Sequence, residues 1–129
     1  MATVRVSVDL PVGAEEAWAV ICDFVHADEL LPGFVARCEP DDAGRLITFA
    51  DGHVVRDALV EIDHESRRLC YRTETPMLSH HNAAMTVRCR DLVRCELDWT
   101  ADILPDAMAP MVRSMMEAGA AAMRTGLAG

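Results

Sequence analysis

The end of this chain constrains its fold more than any other stretch. Residues 106–128 carry apolar side chains at helical spacing, and they follow segments that alternate apolar and polar residues with a period of two. One long helix after a run of strands must bury its apolar stripe against the sheet those strands form. The stripe here is Met108, Met111, Met115, Gly119, Ala122 and Met123. The small residues between Gly119 and Ala122 leave volume under the helix, and flexible, polarizable Met side chains adapt to varied apolar shapes. The expectation is a protein that encloses a small hydrophobic molecule between helix and sheet.

The strands are read from alternation and from the turns that interrupt it. Val4, Val6, Val8 and Leu10 alternate with polar residues, and Pro11 and Gly13 end that strand. Glu15 and Glu16 open a helix at the positive end of its dipole, and Ala17, Trp18, Ile21 and Phe24 recur on one face. Residues 25–32 predict a second short helix, stopped by Pro32 and Gly33. From there the period is two: strands are expected over 34–39, 45–50, 53–63, 67–75, 82–90 and 93–103. Asp51-Gly52 is the strongest hairpin signal, and His80 and His81 fall in a loop. The last of these strands alternates most cleanly, with Val93, Cys95, Leu97, Trp99, Ala101 and Ile103 on one face and charged or polar residues on the other. That pattern gives a sheet with one covered and one wet face. The order is strand, two helices, six strands, long helix, in one domain spanning 1–129.

Composition excludes several functions. The formal net charge is −9, which argues against a binder of nucleic-acid phosphates or anionic lipid. All 12 basic residues are Arg; without Lys there is no Schiff-base chemistry. Five cysteines form no CxxC pair, and with no apolar leader they are expected as free thiols in a reducing cytoplasm, Cys89 and Cys95 packing as small apolar groups. No apolar run is long enough to span a membrane. There is no GxSxG, no phosphate-binding Gly-rich loop and no paired metal motif, so neither a metal nor a cofactor is expected.

Four stretches together resemble the START-like superfamily, also called the Bet v 1-like or SRPBCC group, and within it the small bacterial polyketide cyclase/dehydrase branch. Val8-Asp9-Leu10-Pro11-Val12-Gly13-Ala14-Glu15-Glu16-Ala17-Trp18 resembles the family opening. Cys22-Asp23-Phe24 through Leu31-Pro32-Gly33-Phe34 is similar to its two short helices. Gly52-His53-Val54-Val55-Arg56-Asp57-Ala58-Leu59, with Asp63 and Leu69-Cys70-Tyr71, resembles its central strands, and Asp98-Trp99 with the terminal helix its close. The chain has Asp57 where the family commonly carries the longer Glu. The resemblance implies an α+β helix-grip fold: a curved antiparallel sheet of about seven strands wrapped around the C-terminal helix, with two short helices after strand 1. It implies a small hydrophobic ligand or substrate and, for polyketide work, an acyl carrier protein as partner, in a monomer or homodimer. Family membership fixes the fold better than the reaction.

Asp57 is the leading candidate for chemistry. If Val55 and Leu59 face the covered side, Asp57 does too, as a partly desolvated carboxylate able to act as general acid or base. In the opposite phase Val54, Ala58, Val60 and Ile62 face in, and Arg56 and Arg72 become candidates for an anionic ligand group. Tyr71, the only Tyr, is either a donor to a ligand carbonyl or a core residue bonded to backbone. His53 and His81 can move protons near neutral pH if they face the cavity; exposed loop positions are the alternative. Candidate ligand contacts are Phe34, Leu59, Asn82, Met85 and Trp99, with Met108, Met111 and Met115 from the helix. Trp18 is expected to be structural, and Arg88, Arg90 and Arg94 a solvated strand-end cluster. Three functions are compatible with these residues: a cyclase or aromatase working by orientation and proton transfer, a carrier or sensor that binds without turnover, and a domain whose pocket its own side chains fill.

Overall fold

A computed structural model describes residues 1–128. Seven strands form one antiparallel sheet: β1 Ala2–Leu10, β2 Val35–Pro40, β3 Gly44–Phe49, β4 Val54–Asp63, β5 Arg68–Glu74, β6 His80–Cys89 and β7 Cys95–Leu104. Their spatial order is β1-β7-β6-β5-β4-β3-β2, so β1 crosses the fold to pair with β7 at one edge, and the remaining neighbours are consecutive hairpins. Between β1 and β2 lie α1 (Ala14–Ile21), a 3-10 turn at Phe24–His26 and α2 (Ala27–Leu30). The chain ends in α3 (Ala109–Ala128), entered through a 3-10 turn at Asp106–Met108. This is the helix-grip fold. Among the described residues, no helix is long and apolar enough to cross a membrane.

The burial of β7 alternates without a break, from Cys95 through Leu97, Trp99, Ala101 and Ile103. Paired in register with Val4 and Leu10 of β1 and with Val87 and Met85 of β6, these side chains form a dry floor on which α3 rests. Leu10, Leu69, Leu97, Ile103 and Met123 are almost completely removed from solvent, each contributing about 1.5–3 kcal/mol through burial. Trp18 of α1 is buried too, and its indole N–H donates to His64 Nδ1 at 3.1 Å, tying α1 to the β4–β5 turn.

The stripe that α3 buries differs from the expected one. Val112, Met116, Gly119, Ala120 and Met123 face the core, while Met111 and Met115 lie half-buried on the flank. Nor is the volume at Gly119 empty. A Cβ there would stand 3.1 Å from the Trp99 ring and 3.4 Å from Phe34, so the glycine admits these aromatic rings against the helix. Gly126 plays the same part at the far end, where a Cβ would lie 2.7 Å from the Leu30 carbonyl oxygen of α2.

Two further expectations change. His80 and His81 are not in a loop: β6 begins at His80, and His81 is buried on the inner face. Cys95 is buried as expected, but Cys89, at the loop end of the β6–β7 hairpin, is exposed.

Candidate functional site

The inner face of β3, β4 and β5 carries a row of polar groups. Arg45 of β3 lies opposite Asp57 of β4, which lies opposite Thr73 of β5. The hairpin loop sets this register. Phe49 N donates to His53 O and Gly52 N to Phe49 O, which leaves a three-residue loop, Ala50-Asp51-Gly52, with Gly52 at φ 94°. Such a loop is a type I turn followed by a left-handed residue, a position that suits glycine. A two-residue Asp51-Gly52 loop would have placed Leu46, not Arg45, across from Asp57.

The Arg45 side chain is buried, and its charge is fully met. Nε donates to Asp57 Oδ2 at 2.9 Å, Nη2 lies 2.9 Å from the same oxygen as an ion pair, and Nη1 donates to the Phe24 carbonyl oxygen at 2.8 Å. The guanidinium carbon sits 3.9 Å over the Phe24 ring centroid, a cation–π contact. The Thr73 hydroxyl donates to Asp57 Oδ1 at 2.7 Å. The inward phase for Asp57 therefore holds, but the carboxylate is not the lone acid or base expected. It neutralises a buried cation, and removing either member of such a pair strands the other charge in a low-dielectric site.

Beside this row stand two groups with their acceptor sides occupied. Tyr71 is buried, and its hydroxyl oxygen accepts from Trp99 Nε1–H at 3.0 Å. Among the described residues no protein group accepts the Tyr71 hydroxyl proton. Burial pushes this phenol far above its ordinary value, and the Asp57 carboxylate adds to the shift, so the proton stays on. His81 Nδ1 accepts the Thr73 backbone N–H at 2.9 Å. The β5–β6 ladder ends at Tyr71↔Ala83, and the imidazole takes the N–H that the ladder leaves free. Burial also holds His81 below its ordinary value of 6.5, against the pull of Asp57 and with a smaller push from His80. The ring is neutral near pH 7 with its proton on Nε2. Tyr71 and His81 are thus both set as donors, their ring centroids 5.8 Å apart.

These groups form the polar end of an otherwise apolar cavity of about 110 Å³ between the sheet and the flank of α3. Phe34, Ile47, Phe49, Val55, Met85, Trp99, Met111 and Met115 supply its apolar walls. Phe34, Phe49, Met77, Met111 and Met115 also wall an outer vestibule of about 380 Å³, bordered by Asp51 and His53. Phe34 and Phe49 meet edge to face, with centroids 5.2 Å apart, at the junction of the two spaces. Among the described residues, no three metal-ligating side chains converge.

Of the expected site residues, the structure gathers Asp57, Tyr71, His81, Phe34, Met85, Trp99, Met111 and Met115 around the inner cavity. Four others lie elsewhere. His53 is exposed at the rim of the vestibule, its Nδ1 2.9 Å from Asp51 Oδ2, and does not stand beside Asp57. Leu59 is 39% exposed, because β4 runs past the end of β3 at Gly44 and then bulges at Val60. Asn82 faces solvent, since His81 before it takes the inward position of β6. Met108 lies in the 3-10 turn before α3 and packs against the core outside both spaces. Arg56 and Arg72 point outward, next to Asp41 and Glu74. Arg88, Arg90 and Arg94 pair with Asp98, Glu96 and Asp91 on the surface.

Arg45 and Thr73 were not anticipated from the sequence. Thr73 shares the phase of Tyr71. Arg45 shares the phase of Ile47 and Phe49, and a charge at an inward position of a strand signals a buried partner across the ladder.

The family model for polyketide cyclase / dehydrase and lipid transport matches residues 1–128. The chain belongs to that family. Among solved structures it is similar to a protein from Bacillus thuringiensis, with 17% identity, a TM-score of 0.88, and coverage of 99% of this chain and 100% of that one. It is also similar to the ZhuI aromatase/cyclase from Streptomyces sp. R1128, with 18% identity, a TM-score of 0.78, and coverage of 98% and 90%. A third likeness, to a Thermobifida fusca protein, has 27% identity, a TM-score of 0.75, and coverage of 96% and 91%. No curated protein matches the sequence significantly.

Proposed function

We propose that this protein binds a small, largely apolar molecule through a carbonyl or phenolic oxygen held between Tyr71 Oη–H and His81 Nε2–H. The observation that carries this reading is the pair of donors lining an otherwise apolar cavity, each with its acceptor side already engaged. An unpaired donor in such a place has a cost that a ligand acceptor removes. Two fixed donors on one carbonyl oxygen also stabilise the enolate that forms when a neighbouring carbon gives its proton to a solvent base. That is the first requirement of aldol closure, and cavity walls that fold the chain supply the orientation. The family match and the likeness to an aromatase/cyclase support cyclase- or dehydratase-type chemistry on a polyketide-like substrate; delivery by an acyl carrier protein in the cytoplasm belongs to the same proposal.

One observation favours a carrier instead: the cavity's carboxylate is committed to Arg45 and Thr73, leaving no free base there. Native mass spectrometry with aromatic ketones and fatty acids tests the binding claim. A one-to-one complex with the ketones supports it, and no complex with any member of the panel overturns it. Turnover of a bound poly-β-ketone by wild type but not by His81→Asn identifies an enzyme. Binding without turnover by either identifies a carrier.

A further inference from the structure

Cys89 and Cys95 stand directly opposite each other across the β6–β7 ladder, at the end of β7 away from the cavity's polar groups. Arg90 N donates to Arg94 O, so the 90/94 pair is hydrogen-bonded. Pairs alternate along an antiparallel ladder, which makes the next one, Cys89/Cys95, a non-hydrogen-bonded pair. In such pairs the Cα atoms approach to about 4.5 Å, inside the range that a disulfide spans. Both side chains lie on the same face, in phase with Val87 and Leu97. Their surroundings differ sharply: Cys89 is exposed at the hairpin end, whereas Cys95 is 0% exposed. Burial raises the Cys95 thiol above its ordinary value, and the nearby Cys89 adds to that rise, so Cys95 is a poor first target for an oxidant. None of the other three cysteines faces a cysteine across the sheet: Cys70 pairs with Ala84 and Glu61, Cys38 with Ile47, and Cys22 lies at the end of α1.

We propose that Cys89 and Cys95 form a reversible dithiol–disulfide site oxidised by hydrogen peroxide. In the first step the Cys89 thiolate attacks a peroxide oxygen. The O–O bond breaks, a sulfenic acid forms on Cys89, and water leaves after taking up the thiol proton. In the second, the Cys95 sulfur attacks the Cys89 sulfur. The S–S bond forms, the S–O bond breaks, and hydroxide leaves as water with the proton from Cys95. Two thiols lose two electrons and two protons, and one peroxide is reduced to two waters. A disulfide at an exposed hairpin end is of the readily reducible kind, so an excess of small thiol returns the dithiol.

The test is mild treatment of the folded protein with hydrogen peroxide, alkylation of remaining thiols under denaturing conditions, and mapping without reduction. The expected result is a loss of about 2 Da, the two hydrogens of the reaction, before alkylation. Two of the five thiols then escape alkylation, and trypsin releases the Cys89-Arg90 dipeptide joined to the peptide 95–113. Dithiothreitol restores both thiols. In Cys95→Ser, Cys89 stops at a sulfenic acid that dimedone traps; in Cys89→Ser, Cys95 stays reduced. The wild-type map is decisive even if either variant folds poorly. Finding Cys89 as a sulfinic acid with Cys95 still alkylatable overturns the proposal, as does cross-linking no greater for 89–95 than for other cysteine pairs. Neither result bears on ligand binding in the cavity.

Discussion

Strands β4 and β7 belong to one sheet, yet the same rule of alternation has opposite outcomes in them. Along β7 every second residue is buried and apolar, and neighbours on β1 and β6 complete a dry layer under α3. Along β4 the inward residues are Val55, the ion-paired Asp57 and an exposed Leu59, after which a bulge at Val60 resets the phase. The β7 half is stabilised by apolar burial that needs no specific partner. The β4 half holds a charge pair whose members depend on each other, and leaves a cavity beside it.

The largest effect is expected where that dependence is broken. Asp57→Ala strands the Arg45 guanidinium and is expected to cost about 3–5 kcal/mol in urea unfolding. Adding Arg45→Met should recover part of that loss, since it removes the stranded charge. A cost below about 1 kcal/mol for the single substitution would show that water already reaches the pair and that the halves do not differ. On the packed side, Leu97→Ala is expected to cost about 3 kcal/mol through loss of burial and the cavity left behind. It should leave ligand affinity unchanged. Met115→Ala should do the reverse, costing less than about 1 kcal/mol because the side chain is half-buried, while altering which ligands bind.

These contrasts explain what could be read from the sequence. The element order, the clean alternation of β7 and the long terminal helix are local patterns, and the fold followed from them. The site was less legible because it depends on pairing. Tyr71, Trp99, Met111 and Met115 came from phase and helical spacing together with the family resemblance, and all four line the cavity. Arg45 could not be found in that way, because its partner is set by a three-residue hairpin loop where Asp-Gly more strongly signals a two-residue one. The Val60 bulge misplaced Leu59, and an early start to β6 turned His81 from a loop residue into a buried one. The Gly119 stripe suggested empty space, whereas Trp99 and Phe34 fill it.

A pH series sharpens the comparison further. The folded state holds His81 below 6.5, so between that value and its folded-state value the unfolded chain binds more protons. Its contribution to stability is full above 6.5 and is lost as pH falls through the folded-state value. Wild type should therefore weaken below pH 6.5, and His81→Asn should flatten that part of the curve. An unchanged slope would place the imidazole in solvent. The smallest effect is expected for Gly119→Ala. The gain in helix propensity, about 1 kcal/mol, is offset by the push of a new Cβ against Trp99. Net stability should move by less than about 1 kcal/mol, while the Trp99 near-ultraviolet signal changes. An unchanged signal would mean that helix and ring are not in contact.

The central claim is that Tyr71 and His81 are donors waiting for a ligand oxygen. Calorimetric titration with 1-tetralone and with tetralin, which differ in one carbonyl, tests it most directly. Wild type should bind the ketone about ten-fold more tightly, the scale of one good hydrogen bond in a dry site, and Tyr71→Phe should erase most of that preference. Equal affinity for the two compounds, or a preference that survives in both Tyr71→Phe and His81→Asn, would contradict the account.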